Sequence, residues 1–140
     1  MTRYSGKNMY FRFVTSAGGT IAPSADYRTW TVDDSADEID ASAGADTYKV
    51  FLAGQSARTG NFTYLMSTAA STPSGTALFA QLSPQVEGTI FWGPEGTASG
   101  KVKYSAAAVI LGRSMSVPYN GVVECTVNFR LNAADTVGTW

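Results

Sequence analysis

The sequence predicts a domain built mainly of β-strands, with one helix. Several segments alternate large apolar residues with polar ones, which is the period of a half-buried strand. Only one segment has the spacing of an amphipathic helix. At 140 residues the chain can bury one hydrophobic core without disulfides or metals, so we expect residues 1–140 to form one domain.

The first strands are predicted in the N-terminal part of the chain. Residues 8–15, NMYFRFVT, alternate strictly and are rich in β-forming side chains. Residues 27–32, YRTWTV, alternate in the same way. Trp30 is expected to cap the core from this second strand.

An acidic segment from Asp33 to Asp46 follows, with six of the chain's 11 carboxylates and no Lys or Arg. We predict a long loop here, over about residues 33–47, because structureless segments of this length are usually functional or disordered. Its chemistry leaves three interpretations open. The three are a calcium site without EF-hand spacing, a solvated loop without a partner, and an arm that becomes ordered against a neighbouring subunit.

Two strands and the helix are predicted in the middle of the chain. Residues 48–53 and 61–66 read as strands, separated by a turn at GQSARTG, residues 54–60. The helix is predicted over residues 73–82, where Pro73 suits the first turn and Leu78, Phe79 and Leu82 form one apolar stripe.

The C-terminal half contains the clearest strand patterns. Strands are predicted at residues 89–92, 101–111 and 122–131, the last preceded by the turn dipeptide Asn120-Gly121. Residues 122–131 place Cys125 on the apolar face with its valine and phenylalanine neighbours. We expect this cysteine to be a small buried core residue.

Composition argues against several classes of function. The net charge of −1 is wrong for a protein that binds nucleic acid by neutralising phosphates. Histidine is absent, which removes the commonest general base and metal ligand, and no set of residues forms a catalytic, cofactor-binding or metal-binding motif. We expect no enzyme activity, cofactor or metal. The lack of a long apolar run predicts no membrane segment and synthesis in a cytoplasm.

The order of these elements resembles that of the tail tube proteins of long-tailed bacteriophages, which share a fold with the tubes of contractile tails and type VI secretion. The segments that carry the resemblance lie between residues 8 and 135. They are EIDASAGAD (38–46), YKVFLAGQSARTGNFTYL (48–65), the predicted helix (73–82), GTIFWGPEGTASGKVKYSAAAVI (88–110) and VPYNGVVECTVNFRL (117–131).

The resemblance implies a β-sandwich or distorted β-barrel flanked by one helix. Many members of the family carry an extra C-terminal domain, but this chain stops soon after the last strand, so we expect none here. It implies a structural virion protein whose hexameric rings stack head to tail into a conduit for DNA ejection. The expected partners are further copies of the chain and the tail-completion, tape-measure and baseplate proteins, while DNA passes without specific binding. The expected location is the virion tail, after assembly in the host bacterial cytoplasm.

The resemblance also gives the acidic segment a role, as a loop that reaches the adjacent ring. The candidate contact residues are Asp33, Asp34, Asp37, Glu38, Ile39, Asp40 and Asp46. A wall that DNA passes should carry carboxylates rather than arrays of Lys and Arg. The candidate lumen or interface charges are Asp37, Glu38, Asp40, Glu124, Lys101 and Lys103, and Arg58 or Lys101 are candidate partners for the loop across an interface.

Two other functions are compatible with the sequence. One is a different phage structural protein, such as a head decoration or head-to-tail completion protein. The other is a carbohydrate-binding β-sandwich that uses Trp30, Trp92 and several tyrosines.

Overall fold

The computed structural model describes residues 3–22, 27–66 and 80–140. These residues form a 3₁₀ helix and eight strands, so the prediction of a mainly β-protein is confirmed. The helix is Gly6–Asn8, and the strands are β1 (Tyr10–Thr15), β2 (Thr20–Ile21), β3 (Tyr27–Asp40), β4 (Phe51–Leu65), β5 (Glu87–Gly93), β6 (Val102–Ser116), β7 (Glu124–Leu131) and β8 (Thr136–Thr139).

All eight strands belong to one antiparallel sheet with the order β2-β1-β5-β6-β7-β4-β3, and β8 pairs with the first residues of β6. In the described part of the chain, the strands at the two ends of this order, β2 and β3, do not pair with each other, so the sheet is open. Instead of two separate sheets or a closed barrel, one sheet curls over itself. Its two ends meet in the core, where the ring of Phe11 in β1 lies 4.7 Å from that of Trp30 in β3.

The core follows the predicted alternation. β7 contributes a buried residue at every second position, from Cys125 to Leu131. The largest fully buried side chains are Tyr64, Phe11, Phe13, Phe62, Phe129, Ile21, Leu82, Ile90, Ile110 and Val127. Each of the aliphatic and phenylalanine side chains among them stabilises the fold by about 1.5–3 kcal/mol relative to an exposed side chain. Cys125 is fully buried in this core, as predicted, and burial raises the pKa of its thiol.

β4 runs without interruption from Phe51 to Leu65, so the turn predicted at residues 54–60 is wrong. Gly60 serves packing within the strand. A Cβ atom on Gly60 would lie 2.5 Å from the Phe129 ring and 2.6 Å from the carbonyl oxygen of Thr31. A glycine in a strand therefore marks the close approach of a neighbour here, and the sequence pattern alone does not separate this from a turn.

β3 continues through Asp40, so the prediction of a loop is wrong for its first eight residues. These residues pair with β4, from Asp33 opposite Thr59 to Asp40 opposite Phe51. Both faces of this part of the sheet are exposed, so its sequence lacks the apolar alternation that identifies a half-buried strand. We call residues 33–57, which comprise the two strand segments and the connection between them, the arm.

The predicted helix at residues 73–82 lies mostly outside the described residues, and it stays a prediction. Positions 80 and 81 have helical backbone geometry, and Leu82 is fully buried in the core. Within the described ranges, no helix has the length and apolarity needed to cross a bilayer.

Candidate assembly surfaces

The arm extends as a two-stranded ribbon from the rest of the described domain, which we call the body. β7 accompanies β4 only from Arg58 to Leu65, so residues 51–57 pair with β3 alone in the described chain. Every residue from Asp33 to Ala53 is exposed. At about 3.3 Å per residue, the eight residues 33–40 extend about 26 Å. Because an isolated two-stranded ribbon is only marginally stable in water, this part of the sheet gains little stability from its own chain.

The tip of the arm has one apolar face. Ile39 pairs with Leu52, so the two side chains lie on the same face. Val50 comes two residues before Leu52, and its carbonyl accepts a hydrogen bond from the backbone N–H of Ala41. Ile39 is 51% exposed and Leu52 is 56% exposed, and Val50 is also exposed. The opposite face carries Phe51 among carboxylates. The ribbon is therefore amphipathic, although neither of its faces packs on the core.

The carboxylates of the arm are spread along the ribbon rather than gathered in one cluster. Asp33, Asp37 and Glu38 are exposed and form no ion pair within the described residues. Glu38 pairs opposite Ala53 and Asp33 opposite Thr59, at separate positions of the ribbon. In the described part of the chain, no group of three or more His, Cys, Asp or Glu residues could hold a metal ion.

Two other carboxylates stabilise the turn at the tip. The backbone N–H of Ser42 donates to Asp40 Oδ1 at 2.9 Å, and that of Ala43 donates to Asp46 Oδ2 at 2.7 Å. The hydrogen bond from Ser42 lowers the pKa of the Asp40 carboxyl, so this charge persists to lower pH than that of a free Asp side chain. Asp40 and Asp46 thus have local roles that the sequence did not predict.

Arg58 lies at the base of the arm, where the sheet divides. Its Nη1 and Nη2 donate to the two carboxylate oxygens of Asp135 at 2.5 and 2.8 Å. Its Nε lies 3.1 Å from Asp34 Oδ2, an ion-pair distance without the alignment of a hydrogen bond. The Arg58 side chain is only 14% exposed, and the hydrogen bonds to Asp135 raise its pKa. Arg58 is therefore engaged within its own chain, contrary to its predicted availability to the loop of another subunit.

The other three predicted charges occupy separate parts of the body. Lys101 lies 3.6 Å from Glu95, and Lys103 lies over the ring of Trp140 at 5.4 Å. The Glu124 carboxylate accepts a hydrogen bond from Arg28 at 3.0 Å. The structure brings none of Lys101, Lys103 or Glu124 into contact with the carboxylates of the arm.

Residues 117–123, which we call the β6–β7 turn, form a second exposed apolar surface that the sequence analysis missed. Tyr119 is 100% exposed, and Val117 and Val122 are also exposed. The sequence contained a usable signal, since large apolar residues flank a Pro-Tyr-Asn-Gly turn where polar residues are the norm.

Several solved structures share this fold. A chain from the tail of an empty GTA (gene transfer agent) particle with C6 symmetry has a TM-score of 0.72 at 12% identity, covering 98% of this chain and 100% of that one. The SPP1 tail tube has a TM-score of 0.71 at 16% identity, covering 99% and 80% of the two chains. A chain from the sheath/tube terminator structure of the PVC extracellular contractile injection system has a TM-score of 0.70 at 12% identity, covering 99% of both chains.

These likenesses extend over nearly the whole chain. No protein-family model matches the sequence, and no curated protein matches it either. At identities of 12–16% the structural likeness establishes the fold alone. The chain has the tail tube fold, which is also found in the tail of a gene transfer agent and in an extracellular contractile injection system.

Proposed function

We propose that this chain is the structural subunit of a phage-like tail tube, in which six copies form a ring and stacked rings form a conduit for DNA. The observation that carries the proposal is the tail tube fold combined with a long exposed arm that the chain's own body leaves uncovered. The C6 symmetry of the GTA tail supports the number six. The role is structural rather than enzymatic.

Two open strand edges support the formation of rings. β3 is the last strand of the sheet, so its outer edge has no partner within the described chain. On the other side of the β6-β7-β4-β3 layer, β6 pairs with β5 only as far as Val109, whereas its pairing with β7 continues to Ser116. Pairing of one edge with the other edge of the next copy protects both from aggregation. Such a heterologous contact closes into a ring when the rotation between copies permits it.

The composition of the layer's solvent-facing side supports passage of DNA without specific binding. Along β4 and β7 this side carries the uncharged residues Thr59, Asn61, Thr126 and Asn128, with Arg130 as an exposed cation and Glu124 paired with Arg28. Tight binding to phosphates requires several cations together. A wall of this composition offers DNA hydrogen-bonding groups without an array of positive charge.

The charge distribution supports contact between the arm of one copy and the body of another. The arm contains six carboxylates and Lys49, a net charge of −5, while the rest of the chain has nine cations and five carboxylates. We assign Asp33, Asp34, Asp37, Glu38, Ile39, Asp40 and Asp46 to the contact with the adjacent ring. The tube would be part of a virion tail assembled in a bacterial cytoplasm, with tail-completion, tape-measure and baseplate proteins as its partners.

Reversal of charge on the arm tests this role. The triple variant Asp33→Lys, Asp37→Lys and Glu38→Lys changes the net charge of the arm from −5 to +1 and keeps the turn at the tip. We expect the unchanged chain to sediment as rings and longer stacks, and the variant to sediment as single rings or single chains. Thermal unfolding should differ little, because all three side chains are exposed.

Glu87→Lys, at an exposed position on the body, is the matched control and should assemble normally. If the triple variant assembles as the unchanged chain does, and virions that carry it eject their genome normally, the acidic arm has no role in stacking.

A tail terminator is the second candidate function, because a sheath/tube terminator structure contains a chain of the same fold. A terminator would form single rings that do not grow at any concentration. The carbohydrate-binding alternative loses its basis. Trp92 is only 9% exposed, and the ring of Trp30 packs at a tilt against those of Phe11 and Phe129, with centroid distances of 4.7 and 5.3 Å.

A further inference from the structure

We infer that the apolar tip of the arm docks onto the β6–β7 turn of the next copy along the stack. The inference rests on the proposed stacking of rings and specifies the surface that receives the arm. The occupant of the β6–β7 turn is thus a second copy of this chain, bound through Ile39, Val50 and Leu52.

The strand register places the two surfaces at opposite ends of the same layer. β4 begins at the arm tip, where Phe51 lies opposite Asp40, and it ends at Leu65, which lies opposite Glu124 beside the β6–β7 turn. Fifteen residues of strand separate the ends by about 50 Å at 3.3 Å per residue. The arm of a copy therefore cannot cover that copy's own turn. Translation of a second copy along the strand direction brings the two ends together.

The two surfaces have matching chemistry. The arm tip exposes Ile39, Val50 and Leu52, with Tyr48 84% exposed beside them. The β6–β7 turn exposes Val117, Tyr119 and Val122. Exposed apolar side chains gathered at one place are typical of interaction sites, and each set supplies the apolar contact that the other lacks.

The distribution of charge favours contact of an arm with a turn over contact between two arms. Arg28, at the start of β3, pairs with Glu124 and so lies at the same end of the layer as the β6–β7 turn. Lys7 lies near this end as well, because the Tyr27 hydroxyl donates to the backbone carbonyl of the adjacent Gly6. Lys7 forms no ion pair with any described residue. Among the described residues, Lys7 is thus an unpaired cation at the end of the layer that the next arm would reach, whereas contact between two arms would bring together two charges of −5.

The contact joins two different surfaces of the same chain, so it repeats without closing along the stack. This property allows a test by complementation. An arm variant, Ile39→Ser with Leu52→Ser, keeps an intact turn. A turn variant, Val117→Ser with Tyr119→Ser, keeps an intact arm. All four side chains are exposed, so both variants should unfold at close to the temperature of the unchanged chain.

We expect neither variant to stack when it is alone. An equimolar mixture should form one junction between an intact arm and an intact turn, and growth should then stop. The mass of the assembled unit should therefore double once, as measured by sedimentation velocity and mass photometry. Val137→Ser, an exposed apolar position on β8, is the matched control and should stack as the unchanged chain does.

The outcomes separate this inference from the proposed function. If the unit is a ring and its mass does not double on mixing, the docking contact is refuted and the proposed ring still stands. If the unit is a single chain and mixing gives a dimer, the docking contact is supported and the proposed ring is refuted. A turn variant that stacks fully on its own overturns the inference, because the arm would then bind elsewhere, for example to another arm.

Discussion

Phe62→Ala is expected to lower the free energy of unfolding by about 3–5 kcal/mol, the range for loss of a buried phenyl ring. Phe62 is 1% exposed, and its ring centroid lies 5.0 Å from that of Phe11 and 6.1 Å from that of Phe129. Its position joins the two ends of the curled sheet, so the remaining cavity cannot close without moving both ends. For a domain of this size the melting temperature should fall by about 10 °C or more in calorimetry.

Phe51→Ala is the matched control, because it makes the same substitution in the same strand. Phe51 lies on the arm and is 48% exposed. The expected change in unfolding free energy is within about 0.5 kcal/mol. Equal losses at Phe51 and Phe62 would show that the arm is part of the cooperative core, which would contradict the separation of arm and body described above.

Arg58→Ala is expected to cost about 2–3 kcal/mol and to release the base of the arm. Removal of the guanidinium leaves the Asp135 carboxylate, whose side chain is only 26% exposed, without the partner that binds both of its oxygens. Loss of one partner from a fully buried pair costs about 3–5 kcal/mol. The lower expectation reflects solvent around Asp34, whose side chain is 58% exposed. Amide hydrogen exchange should become faster along residues 33–40 in the variant.

Arg28→Ala provides the comparison for Arg58→Ala. The pair of Arg28 with Glu124 has side chains that are 56% and 38% exposed, so its removal should change the unfolding free energy by less than about 1 kcal/mol. Arg58→Lys should recover only part of the loss, because an ammonium cannot reproduce the two parallel hydrogen bonds to Asp135. Similar losses for Arg28→Ala and Arg58→Ala would refute the anchoring role of Arg58.

The strands of the body were predictable because each has one buried face and one solvated face. Cys125, Val127 and Phe129 alternate with polar residues, and the structure buries all three. The arm was not predictable in the same way, since neither of its faces packs on the core and its carboxylates resemble those of a solvated loop. Gly60 and its neighbours resembled a turn for a different reason. Glycine occurs both in turns and at positions where a neighbouring ring, here that of Phe129, leaves no room for a side chain.

The candidate surfaces were predictable only in part. The acidic residues of the arm were identified from composition, but the pairing of Arg58 with Asp135 joins residues 77 positions apart, and no local pattern reports it. The apolar face of the tip depends on the register of Ile39 with Leu52, which requires the hairpin. The exposure of Tyr119 depends on how far the β6–β7 turn extends beyond the core.

Negative-stain electron microscopy of the purified, concentrated chain tests the central claim most directly. We expect rings of sixfold symmetry with a central channel, which stack into tubes as the concentration rises. A population of single chains at every concentration, with neither rings nor tubes, would contradict it.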